Sequence, residues 1–312
     1  MNSDKILVDT SRSGKVKPWR TKKLASLTYA QYLEVLHFKK ANRVKSCGNL
    51  LRFVKTSSGL KLYQTWFCHS RLCPLCSWRR SMKNSFELRK VLEEAYGRKP
   101  HATFLFLTLT EENSKFGDLR ENLVAMNSSI RRLFQYRAVK RDLLGYVRST
   151  EITINRDDFT FHQHLHILLM VQSTYFKKGH YLSQKDWSSL WKRARKLDYM
   201  PIVNVKKIHS SGKSSSLIAS AEEVGKYQVK DFDYISDDRE GDLVITNELE
   251  HALSGTRQLS FAGLLKEIRH ELLLDKSEDD LVNVGDDKDG SAVIDDVMYR
   301  WNNSVKNYVR WE

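Results

Sequence analysis

Residues 159–171 read F-T-F-H-Q-H-L-H-I-L-L-M-V, with His162, His164 and His166 on every second position before the run turns wholly apolar. Side chains two apart on a strand point the same way, about 7 Å apart along the chain. His164 and His166 therefore offer their imidazoles to one ion while Leu165 and Ile167 enter a core. A lone histidine on a strand is ordinarily a surface or hydrogen-bonded residue, but three in alternation running into a buried segment point to a metal site.

Working outward, residues 146–155 (Y-V-R-S-T-E-I-T-I-N) form a second strand-like run, and Asn155, Arg156, Asp157 and Asp158 make a turn-type cluster. Folding the two runs back about Asp158 brings Glu151 close to opposite His164 and His166. Two imidazoles and a carboxylate leave coordination positions open for substrate oxygens, an arrangement that also suits ferrous oxygenases. The next segment favours phosphate chemistry. Residues 214–230 (S-S-S-L-I-A-S-A-E-E-V-G-K-Y-Q-V-K) read as one helix with Leu217, Ile218, Ala221 and Val224 on one side. Glu223 and Tyr227, and likewise Lys226 and Lys230, then stand four apart on shared faces. Glu222 points about 100° away from Glu223.

These stretches resemble the HUH endonucleases, and within them the rolling-circle replication initiators of small bacterial plasmids. The resemblance rests on F-L-F-L-T-L-T at 104–110, H-Q-H-L-H at 162–166 and E-V-G-K-Y-Q-V-K-D at 223–231, in that order. It extends through K-V-K-P-W-R near the start, R-L-C-P-L-C-S-W-R-R at 71–80 and G-L-L-K-E-I at 263–268. It implies an α+β fold whose HUH-type core is a central antiparallel sheet flanked by helices, with Mn²⁺ or Mg²⁺ on His164, His166 and Glu151. It implies that Tyr227 is the nucleophile, assisted by Lys226 or Lys230, and that Glu223 handles the terminating cleavage; His162 is an additional histidine. The implied partner is plasmid origin DNA, single-stranded or extruded, with a host helicase and polymerase acting alongside and a homodimer left open. A relaxase or transposase shares the histidine pair and tyrosine, and a zinc-stabilised DNA-binding regulator without chemistry is the rival from another class.

All four cysteines fall before the histidine strand. Residues 50–56 and 60–67 read as two strands about Ser57, Ser58 and Gly59, which places Cys47 and Cys68 across from each other at the open end of a hairpin. Cys73 and Cys76 follow in C-P-L-C, and the four converge as a closed tetrahedral Zn²⁺ site in a smaller N-terminal region. His69 is an alternative ligand; a redox C-x-x-C lacks the βαβ surroundings it needs, and unliganded buried thiols stay open. The following run, 77–96, reads as a helix whose first half carries Arg79, Arg80 and Lys83, a place for duplex phosphates to dock.

Charge points the same way. The 312 residues carry a formal charge of +14, and residues 275–296 alone hold nine acidic side chains against Lys276 and Lys288, so the remainder is far more basic. Such a chain expects a polyanion. No run approaches the ~18 apolar residues of a membrane span and no signal peptide is read, so a soluble cytoplasmic protein is expected. The organisation expected is a flexible basic arm over 1–25 and a cysteine-rich, DNA-binding region over 26–100, holding a helix over 29–45. A nuclease core over 101–235 and a helical extension over 236–274 come next, the latter with helices over 243–253 and 261–274. A disordered acidic linker over 275–296 and a short element over 297–312 complete it.

Overall fold

The computed structural model describes residues 5–11, 13–57, 59–208, 215–226, 228–274, 280–285 and 293–311. They form an α+β fold with two antiparallel sheets flanked by helices, divided into two units. One unit comprises Met1–Lys83, Tyr234–Thr246 and Asp279–Glu312; the other comprises Asn84–Asp233 and Asn247–Glu278. The boundaries differ from those read in the sequence because the C-terminal segment belongs with the N-terminal one.

In the first unit the elements are α1 (Trp19–Val35), α2 (Ala41–Lys45), β1 (Leu50–Thr56), β2 (Gly59–Thr65), the start of α3 (Pro74–Arg98), β8 (Val293–Asn302) and β9 (Asn307–Trp311). The sheet order is β2-β1-β8-β9. The described residues 5–11 and 13–25 are therefore no flexible arm. Ile6 bridges to Val309, Trp19 opens α1 and donates its indole N–H to buried Asp9 at 2.8 Å. The helix expected over 29–45 is two helices, broken where His37 adopts φ 57°. The expected acidic linker is likewise partly ordered. Leu281 and Val284 are buried, and β8 pairs with β1 from Val293 onward. Residues 275–279 and 286–292 lie outside the described residues.

The second unit is built on the order β6-β3-β5-β4-β7, from β3 (Thr103–Thr110), β4 (Leu143–Asn155), β5 (Thr160–Val171), β6 (Val203–Ile208) and β7 (Leu259–Gly263), every pair antiparallel. The central strand β5 explains its own sequence. Leu165, Ile167, Leu169 and Val171 enter the core formed with α4 (Leu119–Leu133) and α6 (Gln184–Arg195), where Trp187 and Trp191 are buried. Leu168 and Met170 enter the opposite core with α3, α7 (Ser215–Gly225) and α10 (Leu264–Glu271). By period-two alternation the three histidines lie on this second face, beyond its apolar end. Short helices α5 (Arg137–Lys140) and α8 (Asp231–Tyr234) and the longer α9 (Arg239–Leu253) complete the chain. The helix expected over 261–274 opens instead as β7, paired to β4, and Gly263 at φ 57° turns the chain into α10. An added Cβ there would strike the Leu144 carbonyl, so only glycine fits.

Candidate functional site

The four cysteines meet as the hairpin required. Cys47 follows α2, Cys68 follows β2, and Cys73 and Cys76 flank the start of α3; all are buried. Cys76 Sγ lies 3.4 Å from Cys47 and 3.5 Å from Cys68, and Cys73 Sγ lies 3.8 Å from Cys47. These are far beyond the ~2.05 Å of a disulfide and match the roughly 3.8 Å between sulfurs placed tetrahedrally about 2.3 Å from one ion. Burial pushes the Cys73 thiol up, but hydrogen bonds with Cys47, Cys68, Cys76 and Ser26 outweigh it and hold it well below the usual thiol range. The buried Lys23 side chain donates to the carbonyls of Lys45 and Cys47 and to Asn49 Oδ1, at 3.0, 2.7 and 2.7 Å, close to the four sulfurs. The donor set fits Zn²⁺, whose tetrathiolate complex carries net negative charge. His69 is exposed and offers its carbonyl to Arg80, so the cysteines need no substitute.

Two of the three basic residues assigned to phosphates are taken up by packing. Arg79 is 1% exposed, lies over Trp19 and Trp78, and donates to the carbonyls of Leu281 and Val282 at 3.0 and 2.7 Å. Lys83 is 4% exposed and donates to the Asp280 carbonyl at 2.8 Å. They hold the segment 280–282 in place and are not available to DNA; Arg80 remains half-buried.

The second centre lies on the histidine face. Register pairs Glu151 with His164 and Ser149 with His166, as the turn about Asp158 implies. His166 Nε2 and Glu151 Oε2 are 2.8 Å apart, and Lys230 Nζ stands 3.6 Å from Glu151 Oε1. The hydrogen bond with His166 holds the Glu151 carboxyl below the usual carboxylate range against the opposing effect of burial. His164 lies parallel to His166 with centroids 5.9 Å apart, and burial, reinforced by His162 and His166, depresses it to about 4. It is neutral at pH 7, as a ligand must be. His162 pairs its Nδ1 with Asn113 Oδ1 at 2.7 Å.

The side chains that converge most closely differ from the expected set. Ligand atoms of Glu151, His166 and Glu223 all lie within 4.8 Å of one another, whereas His164 is outside that group. Glu223 arrives on α7, which packs Ala221 and Val224 into the core beneath it, and it is paired with Lys226. Glu222 turns away to Arg89 at 3.6 Å. The expected continuous helix over 214–230 does not form. α7 ends at Gly225 and the described residues 226 and 228–230 are not helical, so the helical four-residue spacing of Lys226 to Lys230 does not hold. Tyr227 and residue 214 lie outside the described residues. The neighbours of Tyr227 are tied down. Gln258 donates to the Lys226 carbonyl, and the Gln228 carbonyl accepts from the Ile152 amide at 2.8 Å, next to Glu151.

Three residues of this centre were not singled out from the sequence. Thr108 pairs with His166 across β3 and β5 and lies 3.4 Å from its Nδ1, and the Phe106 ring stands 5.6 Å from the His166 ring. Their signal was the alternation within F-L-F-L-T-L-T. Asp233 is half-buried with its carboxyl pushed up by burial and by Glu151, while Lys230 opposes the shift. Nothing local in its sequence marks it.

An antiparallel sheet bearing a carboxylate-and-imidazole group, in a chain with a separate cluster of four buried cysteines, defines an α+β protein with two candidate metal sites. Residues 59–309 match the replication-protein family, and the chain belongs to that family. It is 52% identical over 315 residues to a protein rep of Lentilactobacillus hilgardii, covering 99% of this chain and 100% of the relative. It is 48% identical over 314 residues to a protein rep of Lactiplantibacillus plantarum (98% and 99% covered), and 37% identical over 313 residues to one of Streptococcus pneumoniae (98% and 96% covered). No solved structure matches. Among the described residues no helix is long and apolar enough to cross a membrane.

Proposed function

We propose that this replication protein is a plasmid rolling-circle initiator that nicks one strand of its origin through Tyr227. The observation that carries the reading is the convergence of Glu151, His166 and Glu223, with Lys226 and Lys230 paired to two of these carboxylates. The phenol oxygen of Tyr227 attacks the scissile phosphorus and the bond to the 3′ oxygen breaks. The products are a 5′-phosphotyrosine and a free 3′-hydroxyl. A phenol ionises near pH 10, far more readily than water, and the ammonium groups of Lys226 and Lys230 favour the phenolate. When bound, Mn²⁺ or Mg²⁺ supplies Lewis-acid stabilisation of the phosphate's developing charge. His166 and Glu151 would hold that ion, with neutral His164 completing the imidazole pair. Glu223 serves as general base for the water that attacks at the end of a round. Tetrathiolate Zn²⁺ is structural and leaves no position open to substrate.

The chain's basic charge supports a nucleic-acid substrate, and the nucleophile's need to reach an isolated phosphate supports single-stranded or extruded DNA. The test is to mix protein, labelled origin oligonucleotide and Mn²⁺ or Mg²⁺ and run a denaturing gel. A retarded covalent adduct is expected with the parent chain and none with Tyr227→Phe; an adduct that persists in that variant removes Tyr227 from its role. Glu223→Ala is expected to keep the adduct and lose termination, and equal loss of both would refute the division of labour.

A further inference from the structure

The sheet β2-β1-β8-β9 has a face that the nicking chemistry does not use. Leu51, Phe53, Val297 and Tyr308 are buried beneath it. Alternate positions face outward, and the pairs Arg52↔Gln64, Arg52↔Met298 and Met298↔Trp311 run as one row across all four strands. Two indoles stand uncovered at its edges: Trp66, just past β2, is 57% exposed, and Trp311 on β9 is 45% exposed. Each lies under a guanidinium, Arg52 at 5.8 Å from the Trp66 ring and Arg300 at 5.2 Å from the Trp311 ring. A cavity of about 550 Å³ opens beside Trp311, lined in part by Lys45, Asn49, Arg300 and Asn303.

An exposed tryptophan taken singly is ordinary. Two on one sheet face, each beside an arginine and separated by three strand spacings of about 4.8 Å, form an arrangement with a chemical meaning. Flat aromatic faces stack on nucleobases and guanidinium groups donate to phosphates, while Asn49 and Asn303, whose amide oxygens accept from Lys23 and Trp301, line the cavity. Charge agrees, since residues 1–83, which supply β1, β2 and Lys45, hold eighteen Lys and Arg against three Asp and Glu. The acidic residues of β8, Asp295 and Asp296, lie toward its other end and are engaged by Arg310 and Tyr63. A duplex hides its base faces and cannot use the indoles, whereas an unpaired strand can.

We propose that this face binds single-stranded DNA, stacking bases on Trp66 and Trp311 and holding the intervening phosphates on Arg52 and Arg300. It rests on the DNA-processing reading above but not on the nicking chemistry. The test uses the zinc-loaded full chain and a labelled oligothymidylate of about twenty nucleotides, read by anisotropy over a salt series. Trp66→Ala and Trp311→Ala are each expected to weaken binding about tenfold with the salt slope kept, from the usual worth of a base stacked on an aromatic ring. Arg52→Ala and Arg300→Ala should each lower the salt slope by about 0.7. Trp66→Phe and Trp311→Phe keep an aromatic face and should recover most of the affinity. Unchanged affinity in both alanine variants overturns the proposal, as does a duplex that binds as tightly as the single strand. Adduct formation on the origin oligonucleotide separates the two readings. If it survives while the alanine variants bind normally, only the stacking face is lost; if the parent chain forms no adduct yet the tryptophan effects appear, only the nicking reading is lost.

Discussion

Gly225→Ala reverses the usual sign of a glycine-to-alanine change in a helix. Elsewhere, adding a methyl group at the end of α7 would restrict the unfolded chain and stabilise by about 0.5–1 kcal/mol. Here the new Cβ would sit 2.5 Å from Ser85 Oγ, 3.0 Å from Ser85 N and 3.1 Å from Ser85 Cα. A serine hydroxyl can rotate away, but the α3 backbone cannot, so α7 itself must shift. Overpacking of this kind costs about 1–3 kcal/mol. Set against the helix gain, the net loss is up to about 2.5 kcal/mol, or up to about 10 °C in melting temperature for a unit of this size. Urea and thermal unfolding measure it. Because Glu223 is two residues away, the same shift should separate it from Glu151 and His166 and weaken divalent-ion binding by calorimetry. Ser85→Ala in the same chain should recover only the hydroxyl part of the loss. A Gly225→Ala chain as stable as the parent, or more so, would show that α7 does not press on α3 as described.

The cysteine centre predicts one Zn²⁺ per chain by native mass spectrometry. Cys76→Ser, which removes a sulfur lying 3.4 Å from Cys47 and 3.5 Å from Cys68, should abolish stoichiometric binding, and strong chelators should lower the parent's melting temperature. Arg79→Ala should cost about 1–3 kcal/mol for each backbone carbonyl left unpaired, while leaving the salt dependence of DNA binding unchanged. His164 gives a pH signature. Its folded value of about 4 lies below the unfolded value near 6.5, so the unfolded chain binds more protons between them. Stability should therefore fall as pH drops from about 6.5 toward 4, and His164→Asn should flatten part of that slope in thermal melts at stepped pH.

The alternation of His162, His164 and His166 was legible because a strand's period is two, and the turn residues 155–158 were enough to bring Glu151 opposite them. The cysteine convergence followed from the same hairpin logic. What sequence pattern missed lay in contacts between distant segments. Nothing in S-W-R-R-S-M-K says that Arg79 and Lys83 will cap the carbonyls of residues 280–282, some two hundred positions on. Residues 259–263 become a strand only because β4 has an unpaired edge to offer. Phe106 and Thr108 did carry a local signal, in the alternation of their own strand.

By itself the sequence determined the chemical inventory and its local order: imidazoles on one strand face, a carboxylate on the strand folded against it, four thiols about a hairpin, and an excess of positive charge. Spacing along one strand or across one tight turn is set by backbone geometry, so these could be read directly. Only the tertiary structure decided that α7 stops at Gly225 against Ser85, that Glu223 joins Glu151 and His166, and that the C-terminal hairpin completes a sheet begun at residue 50. Each of those depends on which surfaces meet when apolar faces are buried, a property of the packed chain and not of any window within it.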